Sequence, residues 1–435
     1  MGGSESTARS VNAKLAALSA AVREKLVAIL GTEHVRPVTP ADSVLGVQPQ
    51  LILEPANESQ LVDALRLVNE ARLAVIPRGG GTKLGWGNPP SRADLILSTA
   101  RLNKILEHAW ADLTVTVEAG CTVRTLKETL AQHGQRLALD PLWPEQATVG
   151  GVLSTNDSGA LRLRFGSLRD LIIGVTIALT DGTLALSGGK VVKNVAGYDL
   201  PKLVLGALGT LGVITRAVFR LHPVPRNARS FSISAANAEG TQRIVLAIQD
   251  SKLAHAAVQA RFSTDTPSID ILFEGTEAGL DAQASHLRGL CGSAEISEVS
   301  PSIWNARQDL WSFSNAEETA IAKTSTLPTD LARTIDFIRR AADSAKLRWR
   351  SLMYATGLGW LRLEGPSEDL HRALTALRAE LEKTGGSLVL LHRPTALSTF
   401  DAWGTPGDSL ALMKAIKRQL DPANTLNPGR FLGGI

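Results

Sequence analysis

The chain has 435 residues, 44% of them hydrophobic, with 46 basic and 42 acidic side chains and a net charge of +4. That balance fits globular domains and excludes wholesale disorder, and charges so interspersed leave no nucleic-acid footprint. Two cysteines, Cys121 and Cys291, are too few for a disulfide scaffold, a cysteine-held zinc or an iron–sulfur cluster.

At about 100–200 residues per domain, this length predicts two or three domains. Residues 11–31 read as a helix, because Leu15, Leu18, Val22, Leu26 and Ile29 recur at three- and four-residue spacing and Gly31 stands where a helix would stop. Strands are expected at 51–53, 73–77, 94–98 and 113–117, with helices at 58–72 and 122–133. Alternation of this kind points to an α/β or α+β architecture. From 136 to 225 glycine and small residues are dense, with strands at 171–179 and 184–187 around an Asp181-Gly182 turn. His222-Pro223-Val224-Pro225 breaks the chain at a domain boundary. A second α/β unit follows, with strands at 230–234, 257–262, 269–274, 350–355, 359–364 and 387–391. Its helices are expected at 237–250, 277–290, 328–346 and 367–384, and a last short helix at 408–420. No internal repeat emerges. The longest uncharged apolar run, 203–215, falls short of the roughly 20 residues a spanning helix needs. The expectation is a soluble cytoplasmic protein that reaches a membrane only through partner chains.

Two glycine-rich stretches carry the chemistry. In Ile76-Pro77-Arg78-Gly79-Gly80-Gly81-Thr82-Lys83-Leu84-Gly85 a strand runs into consecutive glycines, whose freedom at positive φ lets backbone N–H groups curl around a phosphate. The stretch is neither a Walker loop, since Lys83 precedes Leu84, nor a Rossmann fingerprint, since Leu84 stands where the third glycine belongs. The second stretch, Thr148-Val149-Gly150-Gly151-Val152-Leu153-Ser154-Thr155-Asn156-Asp157-Ser158-Gly159, lets backbone approach a flat ligand and supplies hydroxyl and amide groups. Alone, the first stretch reads equally as a glycine-rich hairpin with no ligand, and the second could be a tight loop in any sheet protein.

Together, in this order, the two stretches resemble the FAD domain of the vanillyl-alcohol oxidase/p-cresol methylhydroxylase (PCMH) superfamily. Four later stretches fall in line: Arg164-Phe165-Gly166-Ser167-Leu168-Arg169-Asp170, 193–200 (Lys193 to Leu200), Gly209-Thr210-Leu211-Gly212-Val213-Ile214-Thr215, and Leu420-Asp421-Pro422 through Asn427-Pro428-Gly429-Arg430-Phe431. The resemblance implies an α+β fold: a helical segment over 1–44, a two-subdomain FAD-binding domain over 45–225, a cap over 226–407, and a C-terminal segment, 408–435, returning to the flavin. It implies that Pro77, Arg78, Gly79, Gly80, Gly81, Thr82, Lys83 and Leu84 bind the pyrophosphate. Pro141, Thr148, Gly150, Gly151, Ser154, Thr155, Asn156 and Gly159 would line the flavin, with Gly212, Val213 and Ile214 along it. Asn427 and Arg430 would approach the isoalloxazine. Lys193 and Tyr198 match motif positions without an assigned role. FAD should be non-covalent, because neither loop carries the His or Cys that attaches flavin in many relatives.

Relatives that oxidise D-2-hydroxy acids also hold a divalent metal with His-Ala-Gly-Asp-Gly-Asn-x-His and Glu-His-Gly elements. Here the matching stretches read Ala355-Thr356-Gly357-Leu358-Gly359-Trp360-Leu361-Arg362 and Leu391-His392-Arg393, which leave no metal site. His392 is the one candidate catalytic residue; Arg348, Arg350, Arg362 and Arg393 lie in sequence near these two elements. Within the superfamily the chain is similar to FAD-binding subunits of bacterial glycolate oxidases. That implies a complex oxidising glycolate to glyoxylate, with a metal-bearing FAD paralogue and an iron–sulfur subunit as partners. The alternatives are a self-sufficient FAD-dependent D-2-hydroxyacid dehydrogenase using His392, and a non-redox scaffold with a flavoprotein fold.

Overall fold

A computed structural model describes residues 19–190 and 199–435. Residues 11–18 of the expected first helix, together with Lys193 and Tyr198, lie outside the described residues. The architecture is α+β, built on three main sheets.

The first sheet orders its strands Val35–Pro37, Leu51–Leu53, Leu95–Ser98, Val75–Arg78. The last three run parallel. Parallel strands are covered on both faces and read as unbroken apolar runs, and Leu51, Ile52 and Leu53 are all buried. Helices Ala20–Leu30 and Glu58–Glu70 supply part of the cover, presenting Leu26, Leu30, Leu61 and Leu65 to the same core. Asn57 starts the second of these helices by accepting from the Gln60 N–H, a cap that contributes about 1 kcal/mol.

The second sheet is antiparallel, in the order Ile105–Ala109, Thr114–Glu118, Val213–Arg220, Ile172–Ala178, Leu184–Gly188. Strand Val213–Arg220 alternates buried and half-buried residues from Thr215 onward. Helices Val123–Ala131 and Val149–Thr155 pack Val123, Leu126, Val152 and Leu153 against the inner face.

The third sheet has eight antiparallel strands, in the order Ile296–Val299, Asn227–Ser234, Ser268–Gly275, His255–Phe262, Arg348–Tyr354, Leu358–Glu364, Thr319–Ser325, Ser387–His392. Its chain order reveals a repeat that the residues do not show. Strand, helix, strand, strand, helix, strand runs from Asn227 to Val299, and the same series runs again from Thr319 to His392. Each half has the split βαβ arrangement, and the halves join where His255–Phe262 pairs with Arg348–Tyr354. Four helices cover one face and bury the largest apolar core, including Ile248, Leu287, Ile338 and Leu374. The opposite face carries Leu352, Tyr354, Trp360 and Leu391 and packs against Trp86, Leu142 and Ala160.

Candidate cofactor cleft and its cap wall

Strand Val75–Arg78 delivers the chain into the first glycine loop. Beside it the C-terminal segment adds a short parallel bridge: Val75 N–H donates to the Thr425 carbonyl at 2.7 Å, and Asn427 N–H to the Val75 carbonyl at 2.9 Å. This pairing sets Asn427 and Arg430 against a loop some 350 positions earlier in sequence.

The glycines serve close approach more than unusual dihedrals. Of Gly79, Gly80 and Gly81 only Gly81 is left-handed, at φ +73°. A Cβ at Gly79 would stand 2.0 Å from Thr148 Oγ1, and one at Gly80 would stand 1.8 Å from the Gln146 carbonyl oxygen. The expected curl of successive positive-φ residues is therefore corrected: the run is glycine chiefly so that the two loops can touch.

The second stretch is a helix rather than a loop. Thr148 caps Val149–Thr155 through its side chain, and Gly150 lets the helix press onto Ala119, 2.8 Å from where a Cβ would sit. Two glycines make this segment a poor helix by propensity, and tertiary packing overrides that preference. The cleft's third wall is the 206–214 segment, where the Leu208 N–H donates to the Ser154 carbonyl at 2.8 Å and the Leu208 carbonyl accepts from Asn427 Nδ2 at 2.5 Å.

These walls line a cleft that is open to solvent. Pro77, Arg78, Gly79, Gly80, Gly81, Thr82, Lys83, Leu84, Thr148, Gly150, Gly151, Ser154, Thr155, Gly212, Val213, Ile214, Asn427 and Arg430 all line it. Thr99, Leu208 and Gly209 line it too, and sequence reasoning missed them. Gly209 signals its place in hindsight: it is left-handed at φ +69° and backs onto Pro77. Pro141, Asn156 and Gly159 are not among the lining residues. Asn156 is the left-handed C-cap of its helix, and Gly159 abuts Asp140, whose Oδ1 accepts its N–H at 2.9 Å.

No residue of the cap is among those lining the cleft. Between cleft and cap sheet stands a wall of ring and charge. Trp311 stacks on Trp86 at 6.4 Å and meets Trp143 edge-on at 4.9 Å. Lys83 Nζ lies 5.8 and 5.4 Å from the Trp86 and Trp143 ring centres. The same ammonium pairs with Asp157 at 3.3 Å, and Arg307 reaches the other Asp157 oxygen at 2.8 Å. Burial opposes every charge here. It lowers the Lys83 pKa, but Arg307 and Lys83 together still hold the Asp157 carboxyl below its ordinary value. Arg307 also donates to the carbonyls of Asp140 and Ser158, so one cap side chain ties down both flanks of the second stretch.

The positions matched to metal-binding elements are committed elsewhere. Ala355 is buried in the cap core. Arg362 forms an ion pair with Glu364 and donates to the Ser312 carbonyl at 2.9 Å. Leu391 is buried against the tryptophans. His392 does not line the cleft; it packs on Phe313 and Trp311, with Nε2 3.3 Å from the Ala316 carbonyl. Burial lowers its pKa. Among the described residues no three His, Cys, Asp or Glu side chains converge on one point. None of the helices described is long and apolar enough to cross a membrane.

Residues 49–187 match the FAD binding domain family, and residues 405–431 match the C-terminal domain of FAD linked oxidases. The glycolate oxidase subunit GlcD of Bacillus subtilis is 25% identical over 94% of this chain and 96% of its own length. A mitochondrial D-lactate dehydrogenase (cytochrome) of Arabidopsis thaliana is 23% identical over 88% of this chain and 73% of its own. D-2-hydroxyglutarate dehydrogenase of Xanthomonas citri is 26% identical over 88% and 89%. Among solved structures, p-cresol methylhydroxylase with substrate bound superposes with a TM-score of 0.77 at 16% identity, covering 94% of this chain and 96% of that one. Alkyldihydroxyacetonephosphate synthase gives 0.74 at 17% identity, covering 95% and 86%. The fold is thus of the PCMH type, and the cofactor is FAD.

The cleft fits that cofactor on its own terms. Gly79, Gly80, Gly81, Gly150 and Gly151 line it, so backbone rather than side chain faces the cleft at those positions. Two buried polar atoms, Asn427 Oδ1 and Arg430 Nε, have no protein partner, and buried polar atoms without partners call for a ligand or water.

Proposed function

We propose that this FAD-dependent oxidoreductase is the FAD-binding subunit of a glycolate oxidase-type complex. Bound FAD supplies an acceptor and donor of electrons, while the protein positions and tunes it. In this reading residues 77–84 hold the diphosphate through backbone N–H groups, and Asn427 and Arg430 contact the flavin from the C-terminal side. Oxidation of the 2-hydroxy acid takes place on a metal-bearing FAD paralogue, and an iron–sulfur subunit carries electrons onward.

The observation that carries this reading is the wall between cleft and cap. Trp86, Trp143 and Trp311 and the Lys83–Asp157–Arg307 ion cluster pack beside the cap-sheet face that carries Leu352, Tyr354, Trp360 and Leu391. Ala355, Arg362 and Leu391 offer no oxygen, thiolate or imidazole to a divalent ion. Glycolate oxidation gains several kcal/mol from a Lewis acid on the hydroxyl and carboxylate. A base such as His392 alone contributes about 10²–10⁴-fold, and His392 is spent on Ala316 and two aromatic rings.

A self-sufficient D-2-hydroxyacid dehydrogenase is the second reading, favoured by the similarity to D-lactate and D-2-hydroxyglutarate dehydrogenases along most of the chain. The FAD-loaded chain, assayed alone with glycolate, D-lactate and an artificial acceptor, separates the two. Trace turnover that rises on adding the metal-bearing paralogue supports the subunit. Robust turnover by the chain alone supports the dehydrogenase.

A further inference from the structure

Three arginines noted in the sequence, Arg348, Arg350 and Arg362, fall on one face of the cap sheet, beyond its apolar zone. Alternation along strand Arg348–Tyr354 turns Trp349 and Met353 toward the helix-covered core and Leu352 and Tyr354 to the other face, so Arg348 and Arg350 share that second face. The same alternation groups Arg362 with Trp360, and Arg261 with Ala257. Register sets the four side by side. Arg350 stands directly opposite Arg362, where Cβ atoms are about 4.5–5.5 Å apart, and Arg348 stands opposite Glu364. On the other flank Arg261 pairs with Leu352, which places it diagonal to Arg350 at about 7–8 Å. Arg261 and Arg350 line one groove.

Carboxylates offset only part of this row. Arg261 donates to Asp270 at 2.8 Å, and Arg348 and Arg362 share Glu364. Asp265 and Asp309 line the groove but pair with none of the four arginines. Arg350 is exposed, and its guanidinium has no partner among the described residues. Like charges directly opposite one another destabilise a sheet, and an external anion would relieve that cost. The row ends on aromatic surface. Arg362 lies 5.7 Å from the centre of the half-buried Phe313 ring, Phe313 packs on His392 at 4.8 Å, and His392 meets Trp311, which stacks on Trp86 in the wall beside the cleft. Arginine beside aromatic rings is the composition that protein interfaces favour. We propose that this arginine row docks an acidic face of the iron–sulfur subunit. The inference rests on the subunit reading above and deepens it: of the two partners, the one that draws electrons from the cleft is the one that needs to sit against its aromatic wall. Complementary charge steers such a partner and fixes its register.

The test measures binding of the purified iron–sulfur subunit to the FAD-loaded chain at low and at high salt. Wild type should bind, with an association rate that falls as salt rises. Arg350→Glu and Arg348→Glu should each slow association by about tenfold or more at low salt and flatten its salt dependence, while Arg350→Lys keeps most of the wild-type binding. Flavin content and melting temperature should match wild type in all three, because both side chains are exposed and neither lines the cleft. Loss of binding that comes with loss of flavin in both charge reversals would assign the row a structural role and overturn the proposal. Association unchanged in both would overturn the docking site and leave the subunit reading standing, as would a wild-type chain that binds the metal-bearing paralogue but not the iron–sulfur subunit. A wild-type chain that binds neither partner would overturn the subunit reading, and this inference with it.

Discussion

Lys417 and Asp421 stand one helical turn apart, and their ion pair, 2.5 Å long and almost wholly buried, holds the C-terminal segment in place. The Lys417 ammonium also donates to the carbonyls of Thr210 and Leu426, at 2.8 and 2.9 Å. The Asp421 carboxylate accepts from the backbone N–H groups of Thr425 and Leu426. One ion pair thus joins the 206–214 wall of the cleft to the C-terminal segment that carries Asn427 and Arg430.

Removing one partner of a buried pair strands the other charge, at a cost of about 3–5 kcal/mol. Lys417→Met should therefore lower the urea midpoint steeply and reduce flavin content together. Full flavin occupancy in a destabilised Lys417→Met protein would show that the C-terminal segment does not order the cleft.

Gly80→Ala tests the contact between the two loops. The added Cβ would fall 1.8 Å from the Gln146 carbonyl, so backbone must shift, at about 1–3 kcal/mol. The purified variant should carry much less FAD than wild type at equal protein concentration, read from the ratio of flavin to protein absorbance. Gly85→Ala, where a Cβ meets nothing within 4 Å, is the control and should retain its flavin.

Much of this site could be read from residue order, and what escaped has physical reasons. The long periodic helices, such as Ser367–Lys383, and the alternating strands declare themselves through burial on one face. Strand Thr319–Ser325 does not: Thr-Ala-Ile-Ala-Lys-Thr-Ser lacks large alternating side chains, and its place between two neighbours is fixed by long-range pairing. Helix Val149–Thr155 hides behind its own glycines. The residues that line the cleft were expected from the resemblance of the two glycine-rich stretches and the C-terminal segment to the FAD domain. The cap wall was not, because nothing local links Trp86, Asp157, Arg307 and Trp311 until the fold brings them together. The repeat within the cap is likewise a matter of strand order.

FAD should be held without a covalent bond. Among the described residues, no His, Cys or Tyr lines the cleft. Cys121, though buried, is not a lining residue, and burial pushes its thiol up to about 11, away from the reactive thiolate. Acid precipitation should release all the flavin into the supernatant. Flavin retained in the pellet would mean that an attachment residue has been overlooked.

Lys323 lies on strand Thr319–Ser325, its Nζ 5.9 Å from the centre of the Trp360 ring. It has no hydrogen-bonding or ion-pair partner among the described residues. Burial pulls its pKa from 10.5 down to about 8; Asp157 resists this, while Arg162 and Arg307 add to it. The sign follows from linkage. Between about pH 8 and 10.5 the unfolded chain binds more protons at this residue than the folded one, so this contribution to stability rises with pH across that window. Below it the full penalty applies, about 3 kcal/mol at 1.36 kcal/mol per pKa unit. Methionine fills similar volume without the charge, so Lys323→Met should stabilise the protein at pH 7 by about 1–3 kcal/mol. The advantage should shrink toward zero by pH 10, where wild-type Lys323 is already neutral when folded. Urea unfolding at the two pH values measures both quantities. A variant less stable than wild type at pH 7 would mean that the ammonium has an anionic partner in the working protein, and would direct the search for a bound acid to this face of the cap.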